Sequence, residues 1–301
     1  MGIQSHWVNE NGQIHRRRDG RVEAKNPNSR KTGSSRNAHF MDMGDSPWTH
    51  SFEEAFNEVD SLGAIAVRNV VRKVSSSTLF RDSRLVLTAW KPSGLHKTIT
   101  NFECLSTKDL RNLARLAISI TVRSPAFQYK MSRVHPAFSS GQDFDPELGK
   151  ANVWQNWADI YRNTEYPTGP LSCLILISKP RTEFVMGDGL FETVTQGNQY
   201  RRSKNGDWDR FIYGGILLPI SPEICAFVLY DSNIGQKLAV LSEVETNEIN
   251  EITALCSRRE LYFRSRDFPG FNPQNGQEVR SVSLTETSFL KSFLGPTLRF
   301  R

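Results

Sequence analysis

Apolar residues along the chain keep two different rhythms, and the change from one to the other divides it. Between residues 51 and 123 they recur at helical spacing. Phe52, Phe56, Val59, Ala66, Val67, Val70 and Val74 fall on one side of a helix that runs from Ser51 to about residue 74. Ser51, with Glu54 three residues on, forms a capping box at its start. A second helix opens at Ser106 or Thr107 with Asp109 in its first turn. Leu110, Leu113, Ala117 and Ile120 make its core stripe, and Pro125 stops it just after Arg123.

Beyond residue 170 the pattern becomes that of strands. Leu171–Ser178 is an almost continuous apolar run, as in a strand buried on both faces. Glu183–Met186, Phe211–Ile220 and Cys225–Tyr230 read as further strands, with a turn at Ser221-Pro222. A capping box from Ser242 to Glu245 opens a helix carrying Val244, Ile249, Ile252 and Leu255, and Leu261–Phe263 reads as the last strand. Upstream, Trp7–His15 suggests a strand and turn around Asn11-Gly12. Residues 135–152 gather prolines, glycines and acids into a long loop, and Trp154, Trp157 and Ile160 suggest a short helix.

Helices first and mostly adjacent strands later imply the α+β class. The expected architecture is an N-terminal basic arm and helices packed on a mainly antiparallel sheet formed by the C-terminal half. Three segments follow: a basic, polar arm with room for a hairpin over 1–45, one α+β domain over 46–265, and a polar tail over 266–301.

The 301 residues are 38% hydrophobic, enough for a sizeable core. That excludes a fibrous repeat, a wholly disordered chain and a disulfide-stapled miniprotein. Cys104, Cys173, Cys225 and Cys256 lie far apart without a CxxC pair, so neither a zinc site nor a disulfide framework is expected. The last three sit in apolar segments, where a free thiol behaves as a small hydrophobe. No apolar run approaches the length of a membrane span, and the polar start lacks an apolar leader, which makes the cytoplasm the expected location.

Lys and Arg exceed Asp and Glu by six, and the placement of that surplus is informative. Residues 1–36 hold eight basic residues against three acids. Arg16, Arg17, Arg18 and Arg21 are the densest part of this arm. Such an arm either neutralises the phosphates of RNA or DNA or is simply a solvated terminus.

Recognised catalytic motifs are missing. The chain has no GxxxxGK[ST] phosphate loop, no GxGxxG fingerprint and no GxSxG elbow. Asp143, Asp145 and Glu147 alternate as in the first half of a calcium loop, but Leu148 stands where glycine is required. No metal site is expected.

Five short segments, taken in order, resemble a bacterial and fungal family of unknown function recognised by a His-Tyr-Val-Pro opening and a Ser-Asp-Asn-Pro segment. They are Asn11–His15 with Asn26-Pro27 and His39-Phe40, then Val122–Phe127, Phe184–Leu190, Leu217–Pro222, and Glu248–Asn250 ahead of Cys256. The His-Tyr-Val-Pro opening is missing here, and Gly187-Asp188-Gly189-Leu190 replaces Ser-Asp-Asn-Pro. The resemblance implies no settled activity, and a site built on the opening histidine would be incomplete in this chain.

Two residues stand out on their own chemistry. Arg123 ends a helix with an otherwise apolar face, and its guanidinium suits a phosphate or carboxylate. Asp188 follows an apolar strand and lies between two glycines, a setting for a base or metal ligand. As catalytic candidates they would share one cleft. As structural residues they would form a buried pair tying the helical half to the sheet. The expected function is therefore a nucleic-acid-binding or nuclease-like cytosolic effector, with a divalent cation such as magnesium only if it cleaves. The alternative is a non-catalytic interaction protein.

Overall fold

The computed structural model describes residues 7–18, 21–25, 40–41, 50–51, 54–85, 99–102, 105–124, 127, 169–194, 199–202, 208–211, 214–230, 235–258 and 260–265. Its elements in chain order are β1 (Ile14–Arg18), β2 (Arg21–Lys25), β3 (Phe40–Met41), β4 (His50–Ser51), α1 (Glu54–Ser76), α2 (Thr78–Leu85), β5 (Ile99–Asn101) and α3 (Thr107–Arg123). Then come β6 (Leu171–Ile177), β7 (Met186–Gly187), β8 (Phe191–Val194), β9 (Gln199–Arg202), β10 (Trp208–Phe211), β11 (Gly214–Ser221), β12 (Ile224–Tyr230), β13 (Gln236–Val240), α4 (Glu243–Cys256) and β14 (Glu260–Phe263). The fold is α+β, with two sheets dominated by antiparallel pairing.

Period-two alternation places the core. Cys173, Ile175 and Ile177 of β6, Ile216, Leu218 and Ile220 of β11, and Ile224, Ala226 and Val228 of β12 point to one face. There they meet Val59, Val67 and Val70 of α1 and Leu110, Leu113 and Ala117 of α3. The intervening residues, among them Leu174, Leu176, Leu217, Cys225 and Phe227, point to the other face and meet Ile249, Ile252 and Cys256 of α4. This six-stranded sheet runs β5-β13-β6-β12-β11-β8, antiparallel throughout except where β13 lies parallel to β6. The four-stranded sheet runs β2-β1-β14-β7. Val185, Leu261 and Phe263 at this second sheet pack against Ala254 of α4.

Several elements differ from what the pattern predicts. Helix α1 runs from Glu54, while Ser51 pairs with Phe40 in β4. The basic arm is built into the fold in part: β1 and β2 form a hairpin, and β1 pairs with β14 across almost the whole chain. Of the strand expected over Glu183–Met186 only Met186 lies in a strand, β7, and residues 183–185 lie outside any strand among the described residues. Trp7 Nε1 donates to the Phe184 carbonyl at 2.9 Å, and Phe184 N donates to the Pro222 carbonyl at 2.8 Å. The run expected over 211–220 is divided between β10 and β11. Strands β5, β8, β9 and β13 and helix α2 are too short to show a clear period in the pattern. The loop over 135–152, the short helix at Trp154 and the tail from 266 lie outside the described residues.

The expected capping boxes and turns fare better. Ser242 Oγ accepts from Glu245 N, and Glu245 reaches back to Ser242 N at 2.8 Å, a complete capping box. Ser106 caps α3, accepting from Asp109 N. Ser221 accepts from Glu223 N in the β11–β12 turn. Cys173, Cys225 and Cys256 are buried free thiols. Burial pushes the Cys225 thiol far above its ordinary value, so it stays protonated. Among the described residues, no helix is long and apolar enough to cross a membrane.

Asn250 is the polar pin of this arrangement. It is almost fully buried on α4, its Oδ1 accepts from Val185 N at 3.0 Å, and its Nδ2 donates to the Glu183 carbonyl at 2.8 Å. Asn250→Ala strands one backbone donor and one acceptor in the interior, at a cost of about 3 kcal/mol in unfolding free energy. Urea unfolding reads that loss directly. A change below about 1 kcal/mol would mean that the 183–185 segment finds other partners.

Candidate functional site

Charged groups gather in three places, and their surroundings give them different roles. The first lies on the four-stranded sheet. Arg16 is 8% exposed and is held between Glu23 at 3.0 Å and Glu260 at 3.1 Å. Burial alone would lower its guanidinium, but the Glu23 hydrogen bond and the charge of Glu260 outweigh it and hold it above its ordinary value. Tyr262 donates to Glu260, and burial lifts the Tyr262 phenol well above its usual value. Arg17 is half-buried and Arg21 exposed. The Arg18 side chain lies outside the described residues. Arg16 is therefore engaged by two carboxylates, Glu23 on β2 and Glu260 on β14.

Arg123 and Asp188 also have described partners, and these differ. Arg123 grips Asp60 with both prongs, Nη1 to Oδ2 at 2.9 Å and Nη2 to Oδ1 at 2.6 Å, and lies 4.5 Å over the Phe56 ring. Asp188 Oδ1 accepts from Arg258 N at 2.8 Å, just past the end of α4, while its own N donates to the Glu260 carbonyl. Arg123 thus ties α3 to α1, and Asp188 ties the end of β7 to the approach of β14. Among the described residues, no three His, Cys, Asp or Glu side chains are placed to hold a metal ion.

The second place is a clasp around Arg264. Its amide and that of Ser265 donate to Glu183 Oε1 at 3.0 and 2.8 Å, and its Nη1 pairs with Glu223 at 2.6 Å. Its carbonyl accepts from His15 Nδ1 at 2.9 Å, which places the imidazole proton on Nδ1, and the His15 ring stacks on Phe263. Burial raises the Glu183 carboxyl; the two amides and Arg264 oppose the rise and Glu223 adds to it.

The third place is the helical layer. Arg123 reaches Asp60, and Gly63 fits against Leu116 so closely that a Cβ there would stand 2.7 Å from Leu116 Cβ. These contacts set α1 and α3 side by side and antiparallel. Arg68, Arg72 and Lys73 are exposed on α1, and Lys108 is exposed on α3. Arg111 and Arg115, half-buried, continue the α3 stripe at steps of three and four. Within residues 64–76 and 107–116 the sole acid is Asp109, which accepts from Ser106 Oγ at 2.9 Å.

At the start of α3 this cationic layer borders a cleft of about 450 Å³. Leu105, Leu110, Pro170 and Leu171 form apolar wall, and Arg111 and Gln236 bring polar groups to its lining. Gln236 is a fixed wall, since its amide exchanges two hydrogen bonds with the Leu105 backbone. Neither the cleft nor the stripes had been singled out from the sequence. Arg68 with Arg72, and Lys108 with Arg111 and Arg115, recur at helical steps, and that is the signal that could have revealed them.

The clasp yields a pH test. A carboxyl whose folded value is raised binds its proton more tightly when folded, so stability falls as pH rises from the usual carboxyl range through that value. Glu183→Gln stays neutral and keeps an oxygen for the two amides. Its stability relative to the parent protein is expected to increase from pH 4 to pH 8 in urea titrations. A difference that is flat or that shrinks with pH refutes the assignment.

Comparison with protein-family models, with curated proteins and with solved structures finds no significant match to this chain, so its chemistry is read from its own surface.

Proposed function

We propose that this chain is a cytosolic nucleic-acid-binding protein that grips phosphates through the cationic face of α1 and α3. The observation that carries this reading is the recurrence of cations on two packed helices, Arg68, Arg72 and Lys73 exposed on α1 and Lys108 exposed on α3, in stretches whose sole acid is Asp109. Cations one helical turn apart lie about 6 Å apart along each helix, a spacing at which several can contact one charged backbone together. Such contacts release counterions and bind without reading sequence. Arg115 extends the same surface. Arg16 contributes little, because Glu23 and Glu260 already neutralise it.

The reading is one of binding rather than cleavage. Arg123 and Asp188 are taken as positioning residues, because both support neighbouring elements through described contacts. A second reading, a non-catalytic interaction protein, is favoured by one feature: the carboxylate partner of Arg123 is Asp60, within the helical layer itself.

Arg68→Ala with Arg72→Ala is expected to weaken RNA and DNA binding about equally across sequences and to reduce the slope of log affinity against log salt by about 2. Fluorescence anisotropy across a salt series measures both. Arg123→Ala and Asp188→Ala should leave binding at low salt unchanged while lowering thermal stability. If no nucleic acid binds at low salt, the interaction-protein reading takes its place.

A further inference from the structure

The cleft beside α3 shares Arg111 with the cationic face, and that shared residue suggests what enters it. Arg111 Nε is shielded from solvent and, among the described residues, has no hydrogen-bond partner. The shielded Nε lies out of a ligand's reach, so what Arg111 offers an anion in the cleft is the two-pronged Nη end of its guanidinium. The apolar wall of Leu105, Leu110, Pro170 and Leu171 lies beside the same side chain. A volume of about 450 Å³ falls within the usual span of small-ligand sites.

A group that satisfies both halves carries a phosphate and a flat, largely apolar body. We infer that the cleft receives one nucleotide, its phosphate on Arg111 and its base against the leucine and proline wall. This inference rests on the nucleic-acid reading for its polymer source and goes further by naming an unpaired strand as the preferred form. A base held in a duplex is stacked between neighbours and cannot enter a side cleft, whereas an unpaired base can. The strand would then run along Arg68, Arg72 and Lys108 and place one residue in the cleft. A free nucleotide presents the same chemistry without the strand.

The test uses adenosine monophosphate, a 12-residue single strand and a duplex of equal phosphate count. Thr107, exposed at the rim, is changed to Trp to fill the cleft without altering charge. Arg111→Met leaves the cleft open and removes the guanidinium, which keeps the test valid if Thr107→Trp folds poorly. The parent protein is expected to bind the single strand about tenfold tighter than the duplex, equivalent to about 1.4 kcal/mol. Both variants should lose that preference and the binding of adenosine monophosphate; Thr107→Trp should keep duplex binding, whereas Arg111→Met removes one cation of the shared face and weakens duplex binding as well. Arg68→Ala with Arg72→Ala should weaken both polymers and preserve their ratio. A ratio that neither cleft variant changes overturns the cleft assignment and leaves the phosphate-binding face standing. Monophosphate binding without polymer binding supports the cleft and overturns the nucleic-acid reading. Binding of none of the three overturns both.

Discussion

A helix buried on two sides has no water to satisfy its polar groups, and this constraint organises the whole molecule. Helix α4 meets the six-stranded sheet through Ile249, Ile252 and Cys256 and the four-stranded sheet through Ala254. Thr246, Thr253 and Ser257 turn their hydroxyls onto carbonyls four residues back. Asn250 reaches outward and closes the backbone of Glu183 and Val185. Because that segment hydrogen-bonds to a side chain and not to a strand, it can pass between the sheets and deliver β7 to one and β8 to the other.

Charge inside the fold repeats this logic. The clasp around Arg264 ties together β1 through His15, the 183 segment through Glu183 and the β11–β12 turn through Glu223. Arg16 bridges β2 and β14 through Glu23 and Glu260. Arg16 and Arg264 each meet a carboxylate from a distant element, which offsets the cost of taking a charge out of water. The hairpin of β1 and β2 is thereby part of the sheet.

The cations of the helical layer differ because the apolar stripes of α1 and α3 leave them no route inward. Gly63 lets the two helices approach closely, since a Cβ there would press on Leu116. The function proposed for this layer follows from where the charge is left exposed. The basic residues densest in the sequence lie elsewhere, and tertiary contacts neutralise at least one of them.

Local order was legible in the residues themselves. The helical rhythm of α1 and α3, the caps at Ser106 and Ser242, the apolar runs of β6 and β12 and the class of fold all rest on neighbours a few positions apart. The short strands β5, β8 and β13 were not legible, since three to five residues show no clear period and pairing with distant partners decides their structure. The role of Asn250 was only half visible: a polar residue on a helix announces a crosslink but not its target. For the candidate site the division is sharper. Sequence alone determined how many cations the chain carries and on which helices they recur. Only the tertiary structure decided that Arg16 meets Glu260, 244 residues away, and that Arg123 meets Asp60, while Arg68, Arg72 and Lys108 remain exposed. The reason is physical: a side chain's charge is local, but the carboxylate that cancels it arrives only when distant elements pack.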